Sequence, residues 1–150
     1  MELYIDNRQD KHKVTEEMEE LIKEVILESL KVQGLGSNYE ISLSFVTDEE
    51  IRELNRDYRA IDNSTDVLSF PMEDEFQLGI PLLGDIIISL DTAYRQAEEY
   101  KHSIKREIAY LVCHSIFHLL GYDHLEEDDK EEMRIKEKDV MGNLKIFKGD

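Results

Sequence analysis

The chain has little cysteine, little proline, few cations for its acids and no long apolar run. A single cysteine in 150 residues, Cys113, excludes an internal disulfide framework and the stapled folds that depend on one. Two prolines beside a hydrophobic content of 41% exclude a linker or a disordered tail. No apolar stretch approaches the roughly 20 residues that cross a bilayer, so no membrane partner is expected. The opening segment, Met1 to Arg8, interleaves acidic with apolar residues and lacks the layout of a signal peptide. A reducing cytoplasm is the expected location. Only 18 Lys and Arg stand against 35 Asp and Glu, a formal charge of −17. Such a mean field repels phosphate and excludes indiscriminate binding to nucleic acid. An RNA substrate would have to meet a local basic patch or be presented by a partner. Arg52, Arg56 and Arg59 on one predicted helix, with Lys101, Lys105 and Arg106 elsewhere, are the cations available.

What is present reads as an ordered series of elements. Leu3 to Asn7 alternate as a first strand, and a helix follows from about Thr15 to Val32 on the stripe Leu21, Ile22, Val25, Ile26, Leu30, stopped by Gly34 and Gly36. Tyr39 to Val46 alternate strictly as a second strand. Thr47 and Glu50 have capping-box spacing and open a short helix through about Tyr58. A turn at Ile61 to Ser64 leads to a strand over Asp66 to Phe70, ended by Pro71, and Met72 to Pro81 read as loop. Leu82 to Ser89, with its Ile86-Ile87-Ile88 run, suits a buried strand. Three helices complete the chain: Asp91 to Tyr100, one capped by Ser103, and a charged one over about Glu127 to Val140. The acidic runs, Glu16 to Glu20 and Glu126 to Glu132, read as solvated helix faces. The order β-α-β-α-β-β-α-α-α predicts an α+β (α/β-like) fold: one domain over residues 1–150, a small mixed four-stranded sheet packed with about five helices.

Three of the five histidines fall in His114-Ser115-Ile116-Phe117-His118-Leu119-Leu120-Gly121-Tyr122-Asp123-His124. On a helix, His114 and His118 lie on one face, about 40° apart round the axis. Gly121 can take a positive φ and turn the chain back, bringing His124 toward them. The helix around them is apolar nearly all round, from Ile104 to Leu120, which marks a buried central helix. Two imidazoles on such a stripe each need a partner in a dry interior, and a shared divalent ion satisfies both. Cys113 lies a helical step away from that face and reads as a small buried apolar residue. Three imidazoles with a fourth position open form a catalytic zinc site, whose bound water has its pKa lowered to about 7. That chemistry suits hydrolysis of esters, amides or phosphodiesters. The ligand spacing H-x-x-x-H-x-x-G-x-x-H equals that of metzincin peptidases, but their general-base glutamate after the first histidine is here Ser115, which cannot take a proton at neutral pH. Peptide hydrolysis is the weaker reading on those grounds.

Two further stretches accompany the histidine segment: Leu54-Asn55-Arg56-Asp57-Tyr58-Arg59 with Thr65-Asp66-Val67-Leu68-Ser69-Phe70-Pro71, and Leu83-Gly84-Asp85-Ile86. In order, spacing and near-full length the chain resembles the YbeY family, metal-dependent, single-strand-specific endoribonucleases of bacterial ribosomal RNA maturation. It departs from that family at Ser115, where the family usually has glycine. The resemblance implies His114, His118 and His124 as ligands of one zinc ion per chain, and Arg59 as the residue needed beside the metal for RNA cleavage. A guanidinium fork there would hold two non-bridging phosphate oxygens as charge builds on them. Asp123, next to a ligand, is a candidate proton acceptor, and Thr65, Asp66 and Asp85 are assigned structural or supporting work around the site. The implied substrate is single-stranded ribosomal RNA, with no DNA. The implied roles are 16S rRNA 3′ end maturation and ribosome quality control, with the small subunit and assembly factors as partners. The competing readings are a metzincin-like zinc metallopeptidase and a non-enzymatic, metal-bound ribosome assembly factor.

Overall fold

Local chemistry sets the boundaries of each element. The computed structural model describes residues 1–72, 81–122 and 127–147. Within these, the strands are β1 (Glu2–Asn7), β2 (Glu40–Val46), β3 (Val67–Pro71) and β4 (Leu82–Ser89). The helices are α1 (Glu16–Val32), α2 (Asp48–Arg59), α3 (Leu90–Glu99), α4 (Ile104–Leu119) and α5 (Glu127–Asn143). Thr15, Thr47, Ser89 and Ser103 cap the first four helices, each side-chain oxygen accepting the amide three residues on. Each such cap contributes about 1 kcal/mol. The capping box at Thr47 and Glu50 is only half made. Thr47 accepts the Glu50 amide, but the Glu50 carboxylate turns instead to Arg8, 3.1 Å away. The segment read as loop from Met72 to Pro81 lies, from residue 73 to 80, outside the described residues.

The α+β expectation holds. The sheet runs β1-β2-β4-β3, with β1, β2 and β4 mutually parallel and β3 antiparallel to β4 at the edge. Pro71 ends β3 on that edge, where a missing amide donor is tolerated. One face of the sheet sends Ile41, Leu43, Phe45, Ile86 and Ile88 into a core shared with α1 and α4. The other packs Val46, Leu68 and Ile87 on Ile51 of α2. Burial on both faces explains the unbroken Ile86-Ile87-Ile88 run. α4 is the buried central helix that its composition predicts: Ile108, Ala109, Leu111, Val112, Cys113, Ile116, Phe117 and Leu119 are all in the core. Glu16, Glu17, Glu19 and Glu20 of α1 are exposed around buried Met18, and Glu127, Asp128, Glu131 and Glu132 are exposed on α5, as solvated faces should be. No helix among the described residues is long and apolar enough to cross a membrane.

Two details seat α4 and α2. Gly84 has φ +154°, and a Cβ there would lie 2.5 Å from the Phe70 carbonyl oxygen and 2.7 Å from Leu119 Cδ2. Only a bare backbone lets β3 and the end of α4 come this close. On the other side, Asp48 at the start of α2 accepts from Ser89 Oγ and Thr92 Oγ1, both at 2.6 Å, and from Arg95 Nη1 at 2.7 Å. Burial works to raise the Asp48 pKa, but the hydrogen bonds from Arg95, Ser89 and Thr92 outweigh it and hold the carboxyl below its ordinary value.

Gly84→Ala is therefore expected to destabilise the fold by about 2 kcal/mol or more, lowering Tm by roughly 5 °C or more in a chain of this size. A depressed folded-state pKa means that the Asp48 contribution is complete above the ordinary carboxylate range and is lost as pH falls through the folded value. Asp48→Asn should thus lower the urea midpoint at pH 7, with the gap to wild type closing as pH drops below about 4. A gap that stayed constant across that range would contradict the assignment.

Candidate metal centre

α4 is buried around most of its circumference, and His114 and His118 mark where it opens, both half-buried. Their rings meet edge to face, with centroids 4.7 Å apart and planes at 82°. The two Nε2 atoms are 3.2 Å apart. Each ring's other nitrogen is engaged by a group that can only accept. His118 Nδ1 lies 2.9 Å from the Tyr122 carbonyl oxygen, and His114 Nδ1 lies 3.3 Å from Glu137 Oε1. With each Nδ1 donating to its oxygen, neutral imidazoles direct both Nε2 lone pairs at one locus. Two nitrogens on one tetrahedral zinc stand roughly 3.3 Å apart, given Zn–N lengths of about 2.0–2.1 Å. The pair fits a shared ion.

The chain turn after α4 builds half of this geometry. Gly121 takes φ +105°, its amide bonds to the His118 carbonyl, and the Tyr122 amide bonds to the Phe117 carbonyl. That 5→2 and 6→1 pairing is a Schellman motif, completed by the edge contact of Tyr122 on Phe117 at 5.9 Å. It folds the Tyr122 carbonyl back over His118. The Tyr122 hydroxyl lies within hydrogen-bond reach of Gln33 at the end of α1 and of Glu132 on α5, at 3.3 and 3.2 Å. The predicted third ligand, His124, and the candidate proton acceptor, Asp123, lie outside the described residues. Among the described residues no group of three or more potential ligands gathers.

α5 supplies the other half. Glu137 is buried and faces both His114 and Tyr110. Tyr110 stacks on the His114 ring at 5.6 Å. Burial first, then the charge and hydrogen bond of Glu137, push the Tyr110 phenol well above its ordinary range, so it remains a neutral donor. Sequence reasoning passed over Glu137. Its signal was there: in a charged helix, Met133, Glu137 and Val140 recur at buried spacing, so one acid sits in the apolar stripe. Half-buried His102 and buried Glu107 form a second pair at 2.5 Å, with Glu107 two turns before His114. Burial raises the Glu107 pKa and the His102 hydrogen bond opposes that rise.

Other predicted residues divide. Asp66 reaches the site region: it binds the Val67 amide at 2.8 Å and lines a cavity of about 800 Å3 that extends from His114 between α3, α4 and α5. Thr65 hydrogen-bonds Asp66 at 3.3 Å. Asp85 is half-buried on β4, paired in register with Phe70 and Ser42. Arg59 is exposed at the end of α2 and is not among the residues lining the cavity. Among the described residues it forms no ion pair, whereas Arg8, Arg52, Arg56 and Arg95 are each paired with a carboxylate. Ser115 is fully buried, its hydroxyl without a hydrogen-bond partner among the described residues. Burial pushes the Cys113 thiol up to about 12, the behaviour of an inert core residue rather than a ligand.

The family model described as Endoribonuclease YbeY matches residues 4–145. The chain belongs to that family. A protein from Clostridioides difficile strain 630 named Endoribonuclease YbeY is 51% identical over 150 residues, covering 97% of this chain and 98% of the relative. One of the same name from Finegoldia magna is also 51% identical, covering 100% and 98%. The fold is similar to the solution structure of TM1509 from Thermotoga maritima, with a TM-score of 0.60, 27% identity, and coverage of 95% of this chain and 91% of that one.

Glu137→Ala should weaken divalent-metal affinity by about 10- to 100-fold, the usual effect of removing the hydrogen-bond partner of a metal-ligating histidine. Glu137→Gln, which keeps an acceptor, should lose less. Chelator competition on both variants measures this; equal affinities in wild type and Glu137→Ala would remove Glu137 from the site.

Proposed function

We propose that this member of an endoribonuclease family is a zinc-dependent endoribonuclease that cleaves single-stranded ribosomal RNA. The observation that carries the reading is the convergence of two Nε2 atoms at 3.2 Å with both Nδ1 atoms committed to acceptors. His114, His118 and His124 would hold the ion. Such an ion supplies Lewis acidity toward a phosphate oxygen and toward water.

The remaining work falls to the chain. Glu137 and the Tyr122 carbonyl fix the tautomer and orientation of the ligand imidazoles. Arg59 is exposed and makes no ion pair among the described residues of a strongly acidic protein, which supports a role in holding the non-bridging oxygens of the scissile phosphodiester. Asp123, one residue before a ligand, is assigned as proton acceptor. Ser115 is buried and is no base, which weighs against peptide hydrolysis. The single buried thiol and the family together support a cytoplasmic role in rRNA processing, including 16S 3′ end maturation and ribosome quality control. Small-subunit proteins or assembly factors would present the RNA to a chain of charge −17.

Cleavage of single-stranded RNA, with metal content measured on the same samples, tests the assignment. His114→Ala should lose both zinc and cleavage. Arg59→Ala should keep its zinc and lose roughly 100-fold or more in cleavage rate, as expected for a donor aimed at developing charge. Chelator-sensitive digestion of casein with no RNA breakage would overturn the proposal.

A further inference from the structure

The cavity that opens from His114 gathers cations from two helices of a strongly acidic chain. Four cations line it, Arg106 from α4 and Lys130, Arg134 and Lys138 from α5. None of the four forms an ion pair among the described residues, although the chain carries 35 Asp and Glu. Three carboxylates also line it, Asp66, Glu107 and Glu137. Two of these are buried against histidines, Glu107 on His102 and Glu137 on His114. The lining therefore carries a formal excess of cations, four against three carboxylates, in a molecule of charge −17.

Its second property is aromatic. Tyr100, Tyr110 and Phe147 line it with 60%, 42% and 55% of their surfaces exposed. Exposed rings beside such cations are the two components of a single-strand nucleic-acid groove: π-faces for unpaired bases and charge for the backbone. A duplex buries its base faces and could use only the charge. The size, about 800 Å3, falls within the range of ligand sites.

We propose that this cavity is the groove that holds the nucleotides of single-stranded RNA on one side of the scissile phosphate, with bases stacked on Tyr100, Tyr110 and Phe147 and phosphates held by Arg106, Lys130, Arg134 and Lys138. This deepens the endoribonuclease reading and rests on it. The strand then runs from His114 along the seam of α4 and α5, and the enzyme gains binding energy from residues remote from the cleaved bond.

The test uses the full chain loaded with zinc and a fluorescein-labelled, unstructured RNA, with affinity from anisotropy and cleavage from gels. Arg134→Glu/Lys138→Glu should weaken binding at least tenfold and raise KM. It should leave kcat and zinc content near wild type, and make the salt dependence shallower by roughly 0.7 for each phosphate that is no longer neutralised. Lys13→Glu/Lys31→Glu, exposed residues away from the cavity, makes the same change in net charge and should leave affinity within about twofold. Tyr100→Ala should weaken binding about fivefold or more by removing a stacking platform, with Tyr100→Leu no better. Arg134→Ala/Lys138→Ala, a milder pair, should shift affinity in the same direction if charge reversal disturbs α5. Equal weakening by the cavity and control pairs, or equal effects on duplex and single strand, would overturn the groove while leaving the nuclease intact. A wild-type protein that neither binds nor cleaves RNA would overturn both.

Discussion

The site depends on two hydrogen bonds that never touch a substrate: His118 to the Tyr122 carbonyl and His114 to Glu137. An imidazole has two nitrogens, and which one is available to a metal is decided by what the other one meets. Here both remote nitrogens face oxygens, and with the proton on that side of each ring both near nitrogens present lone pairs to the same locus. One acceptor is delivered by a backbone turn that closes α4, the other by a side chain of the last helix. α4 is held in turn by a core on one face of the sheet and by its close seat on Gly84. A local requirement, one proton on each of two rings, thus draws on most of the fold.

Much of the architecture was legible because it is locally encoded. Ser and Thr caps, the Ile41, Leu43, Phe45 alternation and the apolar cylinder from Ile104 to Leu120 each state their own structure. Gly121 was legible as a turn, since only a positive φ reverses the chain there. Strand order was not, because parallel pairing of β1, β2 and β4 is decided by crossovers through helices, not by any short stretch. Glu137 was not, because its partner is 23 residues away in sequence and the pair forms only once α5 packs on α4. A backbone carbonyl such as that of Tyr122 carries no sequence signature at all. The same limit applies to the cavity: Lys130, Arg134 and Lys138 read as one side of a charged helix until α3 and α4 supply its other walls.

The buried Ser115 sharpens the contrast with zinc peptidases of similar histidine spacing. Those enzymes place a carboxylate after their first histidine to handle protons. This chain places a hydroxyl in the core after His114, unpartnered among the described residues. A shared spacing of histidines therefore does not carry a shared proton-handling group with it.

The acidity of the remaining surface acquires a meaning from the cations that line the cavity. The exposed glutamates of α1 and the acidic start of α5 turn a polyanion away from most approaches. What survives this repulsion is an encounter aligned with the cationic seam. Selectivity of that kind is exercised before contact, by excluding wrong orientations rather than by rewarding the right one.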